Sequence, residues 1–396
     1  MRTTTCCSAL ALTATLAACA TARPHAQTTH RQPLPFFPTR ALWTLALNNA
    51  LSETPAYDAT RGYFPIAGDR LVAYDMKTGT QLWIATAAPT QAPTCGDDLV
   101  FVAERDAVVA LRAQDGTPAW RLPLAETLGV APVWDNGWLV LATETGTIVA
   151  VSAKDGRTIW RRPLGVALHA RPALAADRVY VPLANAHVVA LRVTTGEDVW
   201  SRHLGGNPND ILALDDRIYL GSNDNYAYCI NADSGVVEWR HVTGADVIGV
   251  PAHDDDRVYF VSFDNTLRAL SRRTGVQQWF KQLPLRPTAG PVLAGATIIA
   301  AGPATTLLTY NARDGAAVGS LTATPELAAP PQVVMDPASG QPTIVLVAAD
   351  VAKGASVSLV GRGIDPTPSP LGTLPGAITI LPAVSSPAAP GPQIPD

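Results

Sequence analysis

The side chains in this 396-residue chain that could attack, ligate or carry a group are few and scattered. Seven histidines stand at 25, 30, 169, 187, 203, 241 and 253, with no paired metal-ligand spacing. His169 and His187 are therefore expected as surface or channel-wall residues. Asp254-Asp255-Asp256 and Asn223-Asp224-Asn225 gather oxygens of the kind that hold calcium. Both fall where hairpin turns are expected, and Asp and Asn are favoured there because their side chains bond the local backbone. The turn is the reading adopted. Trp134 and Trp138 offer flat faces for a planar cofactor, and packing is expected of them instead. No G-x-x-x-x-G-K-[ST], H-E-x-x-H or G-x-S-x-G occurs. No catalytic residue and no metal ligand is expected.

One cysteine does carry a chemistry. Arg2 opens the chain, an apolar stretch runs from Ala9 to Ala18, and Leu16-Ala17-Ala18 precedes Cys19. The segment resembles a bacterial lipoprotein signal, with residues 1–18 as the export sequence. That resemblance implies cleavage before Cys19 and acylation of its thiol and new amino group. Two or three acyl chains anchor a protein stably, where one binds reversibly. Ala20 follows, without an Asp to imply inner-membrane retention, so the outer membrane is expected in a host that has one. An ordinary secretory signal with an incidental Cys19 is the alternative. Residues 19–40 are polar and Pro-containing and are expected as a tether.

The elements beyond must be short. Thirty Gly and 34 Pro make about one residue in six, which favours strands and turns over long helices. The net charge of -4 offers no basic surface for phosphates, so no nucleic-acid partner is expected. Past the signal, no apolar run is long enough to span a membrane.

An internal repeat organises the rest. Trp43, Trp83, Trp120, Trp160, Trp200, Trp239 and Trp279 are spaced by 40, 37, 40, 40, 39 and 40 residues, and Gly319 lies 40 further on. Gly79, Gly116, Gly156, Gly196, Gly235 and Gly275 each precede a Trp by four, and Gly315 precedes Gly319 likewise. A Pro lattice at 55, 93, 132, 172, 251, 291 and 331 marks the start of each unit, with Leu212 in the missing slot. Each unit reads as four strands. In 131–162 these start at Ala131, run Trp138 to Ala142 and Thr147 to Ala153, and end with Thr158 to Arg162. Such units bury both faces only by stacking around an axis, which gives an all-β propeller of four-stranded antiparallel blades. A solenoid would need polar caps, and none is evident.

Closure follows from phase. Trp43 lies on a fourth strand whose first three strands must come from elsewhere. The last unit has strands after Pro331, at Thr343 to Ala349 and at Ala355 to Val360, but no fourth. The segment Ala41 to Leu47 supplies it, so eight blades are predicted over 41–361, with the N-terminal strand completing the last. Seven blades with 325–396 appended is the alternative. Residues 362–396 hold nine Pro and are expected as an irregular tail, with Ala377 to Leu381 as its only candidate strand. Cys95 and Cys229 fall three blades apart, so two buried free thiols are expected.

Ala73-Tyr74-Asp75-Met76-Lys77-Thr78-Gly79-Thr80-Gln81-Leu82-Trp83 resembles the A-x-D-x-x-T-G-x-x-x-W docking motif of pyrroloquinoline-quinone-type propellers. Two families share that motif: the quinone-dependent dehydrogenases, and the outer-membrane-protein assembly lipoprotein BamB, which holds no cofactor. The chain resembles the second in its lipobox and compact ring. The dehydrogenases carry insertions, a vicinal disulfide and a calcium-bound quinone, whereas here the only adjacent pair, Cys6-Cys7, lies in the signal. The resemblance implies a non-enzymatic periplasmic scaffold without cofactor that binds the periplasmic repeats of a BamA-like partner. The family's contact loop corresponds to Gly165 to Arg171, where its Leu-x-Leu-Arg is replaced by Leu168, His169 and Arg171 at a different spacing. The same stretch reads equally as a plain turn. A quinone-dependent dehydrogenase and a ligand- or glycan-binding propeller of another envelope pathway stand as alternatives.

Overall fold

The computed structural model describes residues 35–350 and 354–363. Cys19, the export sequence, most of the expected tether and nearly all of the Pro-rich tail lie outside the described residues. All regular secondary structure among the described residues is β. The first blade runs through Ala56–Tyr57, Arg61–Ile66 and Arg70–Asp75 to Gln81–Thr86. Six more four-stranded sheets repeat that order, down to Ala317–Thr322.

The eighth blade is assembled from both ends. Gln332–Met335, Pro342–Asp350 and Gly354–Arg362 supply its inner strands, and Thr39–Ala46 pairs antiparallel with Gly354–Arg362 as the outermost. The ring therefore has eight blades, closed by the N-terminal strand. That strand begins two residues before the expected Ala41, and Phe36 is buried. The expected tether thus ends earlier than residue 40, because its last residues find packing partners.

The two middle strands of most blades are buried on both faces, as in Leu99–Ala103 and Trp138–Ala142. Runs of Val, Leu and Phe with no alternation are what a strand between two layers requires. Outer strands alternate instead, as in Thr158–Pro163. Hairpin turns use left-handed residues at Asp97, Asp98, Asn136 and Gly137, where short polar side chains and Gly tolerate positive φ.

Closure is visible in the core. Buried apolar residues form eight clusters, and each joins two neighbouring blades. One of them packs Phe64 and Val72 of the first blade against Val345, Val347 and Leu359 of the last. Joining both ends in this way removes the unpaired faces of an open stack.

The Trp lattice fastens these junctions. In the second blade Ala110 lies directly opposite Trp120, and a bulge follows that turns the indole toward the next blade. Each indole N–H then donates to a carbonyl in the following blade, from Trp43 to Met76 at 2.9 Å through to Trp279 to Ala312 at 3.0 Å. Each ring lies over the next blade's glycine: Trp43 over Gly79, Trp83 over Gly116, Trp120 over Gly156, Trp160 over Gly196, Trp200 over Gly235, Trp239 over Gly275 and Trp279 over Gly315. These glycines have φ between +67° and +73°. At Gly116 an added Cβ would come within 2.6 Å of the Trp83 ring. The glycine thus serves the preceding blade's Trp more than the one four residues ahead of it. An aromatic side chain on the second strand backs most of the indoles, as Tyr63 does Trp83 with centroids 5.9 Å apart.

Candidate partner-binding loop and axial channel

The loop Gly165 to Arg171 joins the third blade to the fourth. Gly165 takes φ +71°, and Leu168 pairs with Leu183 in an isolated bridge. The His169 N–H donates to the Pro182 carbonyl at 2.9 Å, and the Ala184 N–H to the Ala167 carbonyl at 2.9 Å. The loop is therefore stitched to the fourth blade rather than hanging free.

Its three candidate residues point to three places. Leu168 packs half-buried with Val140, Val179 and Leu183 in the core between the two blades. His169 is exposed, and its Nε2 lies 3.3 Å from the Asn223 side-chain amide, which can only donate. Arg171 turns to the ring axis. Its backbone N–H donates to Asp210 Oδ1 at 3.3 Å and its Nη2 to the Pro132 carbonyl at 3.5 Å. The residue is exposed and reaches toward inner strands of other blades. Desolvation lowers the Arg171 pKa against the opposing pull of Asp210. Burial likewise raises that of Asp210, against the bond from the Arg171 N–H and the guanidinium charge. Leu168 is thus half-buried in the core, while His169 and Arg171 are exposed with different partners.

Arg171 also reaches a cavity of about 530 Å³, lined by Tyr57, Thr94, Cys95 and Met335 among others. Cys95 is half-exposed here, not fully buried as expected, because the inner strands face the channel. Cys95 and Cys229 are both free, and burial raises each thiol to about 12. Neither is an activated nucleophile, since the thiolate is the reactive form. A larger groove of about 730 Å³ lies between the fifth and sixth blades, lined by Asp215, Arg217, Asp255, Arg257 and Arg272. Three of its arginines are committed to neighbours: Arg272 to Asp215 at 2.7 Å, Arg217 to Glu238 at 2.6 Å and Arg257 to Asp254 at 3.3 Å.

Two of the candidate calcium carboxylates are spent on turns. Asp254 Oδ1 accepts the backbone N–H of Asp256 at 2.9 Å and of Arg257 at 2.6 Å, while Oδ2 accepts the Tyr259 hydroxyl at 2.5 Å. Asp224 accepts the Tyr226 N–H at 3.2 Å and the Tyr228 hydroxyl at 2.5 Å. Among the described residues no group of three or more His, Cys, Asp or Glu side chains is placed to hold a metal ion. The donor set does not fit a calcium-bound quinone. Trp134 stacks over Gly96, and Trp138 packs in the core between the third and fourth blades, so neither forms a cofactor platform.

A family model described as outer membrane protein assembly factor BamB matches residues 38–127, 67–212 and 212–350. No curated protein matches the chain. Among solved structures, BamB from Moraxella catarrhalis is similar at 20% identity and a TM-score of 0.66, covering 82% of this chain and 97% of that one. The computationally designed Ika8 protein gives 14% identity and 0.67 over 81% of this chain and 99% of its own. A quinohemoprotein alcohol dehydrogenase from Pseudomonas putida HK5 gives 13% and 0.63 over 82% and 76%. At these identities the structural likenesses speak for the ring alone. The family match spans most of the chain, blade after blade along the lattice, and by it the chain belongs to the BamB family of outer membrane protein assembly factors.

Proposed function

We propose that this chain is a non-enzymatic scaffold, anchored through acylated Cys19 to the periplasmic face of an outer membrane, that aids insertion of β-barrel proteins by binding a BamA-like partner. The family match over 38–350 carries the reading. Two features support it. Eight blades locked by indoles make a rigid platform for loops, and positioned loops on rigid scaffolds are where binding residues concentrate. Among the described residues the carboxylates are also not grouped with other donors to hold a metal ion. No helix among the described residues is long and apolar enough to cross a membrane, and in this reading the lipid on Cys19 supplies the attachment.

His169 is the loop residue free to meet a partner, with Leu168 shaping the loop and Arg171 holding its end to the axis. A photo-crosslinker at His169 should capture a BamA-like barrel protein from native envelopes. Capture of nothing, with unchanged outer-membrane protein levels on deletion, would overturn the proposal. Cys19→Ser should shift the protein from the membrane to the soluble fraction. Dye-linked alcohol oxidation on adding quinone and calcium would favour the dehydrogenase reading instead.

A further inference from the structure

The repeat supplies an internal reference for unusual residues. In each of the first seven blades the first residue of the third strand lies opposite the last of the fourth. Those pairs are Arg70 with Thr86, Ala107 with Pro123, Thr147 with Pro163, Tyr226 with Val242, Thr266 with Gln282 and Thr306 with Thr322. In the fourth blade both positions are histidine: His187 lies opposite His203.

The backbone brings these side chains close. The Leu204 N–H donates to the Ala186 carbonyl at 2.8 Å. A bond between the residues flanking a pair marks that pair as the non-hydrogen-bonded kind, whose Cα atoms sit about 4.5 Å apart with side chains nearest. The rings lie 4.8 Å apart, centroid to centroid, at 66°. His203 is exposed and His187 half-buried, so both are reachable from solvent.

The turn before His187 is fixed. Ala186 holds φ +64°, and its N–H donates to Asn207 Oδ1 at 3.0 Å. His187 Nδ1 lies 2.9 Å from the Asn185 carbonyl. A carbonyl can only accept, so Nδ1 carries a proton, and in the neutral ring the lone pair is on Nε2. Metal-binding histidines are typically held this way, with one ring N–H on a backbone carbonyl and the other nitrogen free to ligate.

We propose that His187 and His203 form a two-imidazole site for a borderline divalent transition metal, of which Cu²⁺ should bind most tightly. Water would complete the coordination shell. The site is independent of the partner-binding reading, because it lies on the outer half of the blade and uses none of the three loop residues.

The test uses the full chain and Cu²⁺ alone. Calorimetric titration counts the bound equivalents, and electron paramagnetic resonance counts the nitrogen ligands. The wild type should bind one equivalent at this site with two imidazole nitrogens. His187→Gln and His203→Gln should each weaken that equivalent by roughly tenfold or more, since a lost ligand costs at least what a lost outer-shell partner does. Both variants should melt at the wild-type temperature without metal. His169→Gln should bind as the wild type does. The proposal fails if the wild type binds no copper, if the two variants bind it unchanged, or if His169→Gln abolishes it.

Discussion

Seven of the eight blade junctions close in one way and the eighth in another. At a regular junction an indole lies on the next blade's positive-φ glycine and donates to a carbonyl there, as Trp83 does over Gly116 and to Ala113 at 2.9 Å. Between the seventh and eighth blades Gly319 holds the Trp slot and Thr309 the slot opposite it. The reason lies in the topology. The third and fourth strands of the eighth blade come from opposite ends of the chain, so no turn joins them and no glycine can receive an indole. The entering segment fills the gap. An added Cβ on Gly319 would lie 2.4 Å from the Phe37 ring, and Phe36 packs among Ile299, Leu307, Ile344 and Leu346. The Thr309 hydroxyl, buried without a partner, marks the same departure from the repeat. A repeat fold can therefore abandon its motif at the seam, provided another aromatic group takes the volume.

The comparison breaks if the two kinds of junction are unequal. Trp83→Ala should cost about 3–5 kcal/mol in denaturant unfolding, the usual range for a large buried aromatic residue. Phe36→Ala, at 2% exposure, should fall in the same range if it closes the seam as the indoles close the rest. A loss below about 1 kcal/mol there would make the seam a weak, open junction. The two sites share no cluster, so the double variant should add.

Glycine substitutions sharpen the contrast. Gly116→Ala meets both a left-handed backbone and the Trp83 ring, and should cost about 2 kcal/mol or more. Gly319→Ala has no left-handed backbone to strain, and Phe37 is half-exposed and can move aside. It should cost about 1 kcal/mol. Equal losses, read from urea midpoints, would show that Phe37 is held as firmly as an indole.

The smallest effect is electrostatic. Burial would raise the Asp264 carboxyl, but bonds from Arg268, Ser262 and the Gly244 N–H hold it down to about 2. A depressed folded-state pKa means the stabilisation is complete above the unfolded value near 4 and is lost as pH falls from about 4 to about 2. With the group partly open to solvent, the contribution is on the order of 1 kcal/mol. Arg268→Ala should flatten that part of the acid-unfolding profile, and an unchanged profile would remove the pair from the account.

Much of this architecture was legible because the repeat is a count. Trp spacing gave the number of blades, and the orphan phase of Trp43 led to the shared eighth blade, with strands within a few residues of those found. The candidate loop was less legible. Leu168, His169 and Arg171 are near neighbours in sequence, yet an isolated bridge, an exposed loop and the channel wall divide them. The histidine pair was hidden in the opposite way. His187 and His203 stand 16 apart, a spacing with no ligand meaning until register is known. Counting outward by three from the Ala190–Trp200 pair would have found it.

Composition and periodicity alone were enough to make this an all-β, closed, repeated fold with a lattice of docking indoles, because each unit's apolar faces can be buried only by copies of itself. Which blade receives each indole, what replaces the missing one, and which polar groups meet across strands were decided by tertiary structure. Those outcomes depend on register and on how neighbouring sheets stack, and both are set by contacts between residues far apart in the chain.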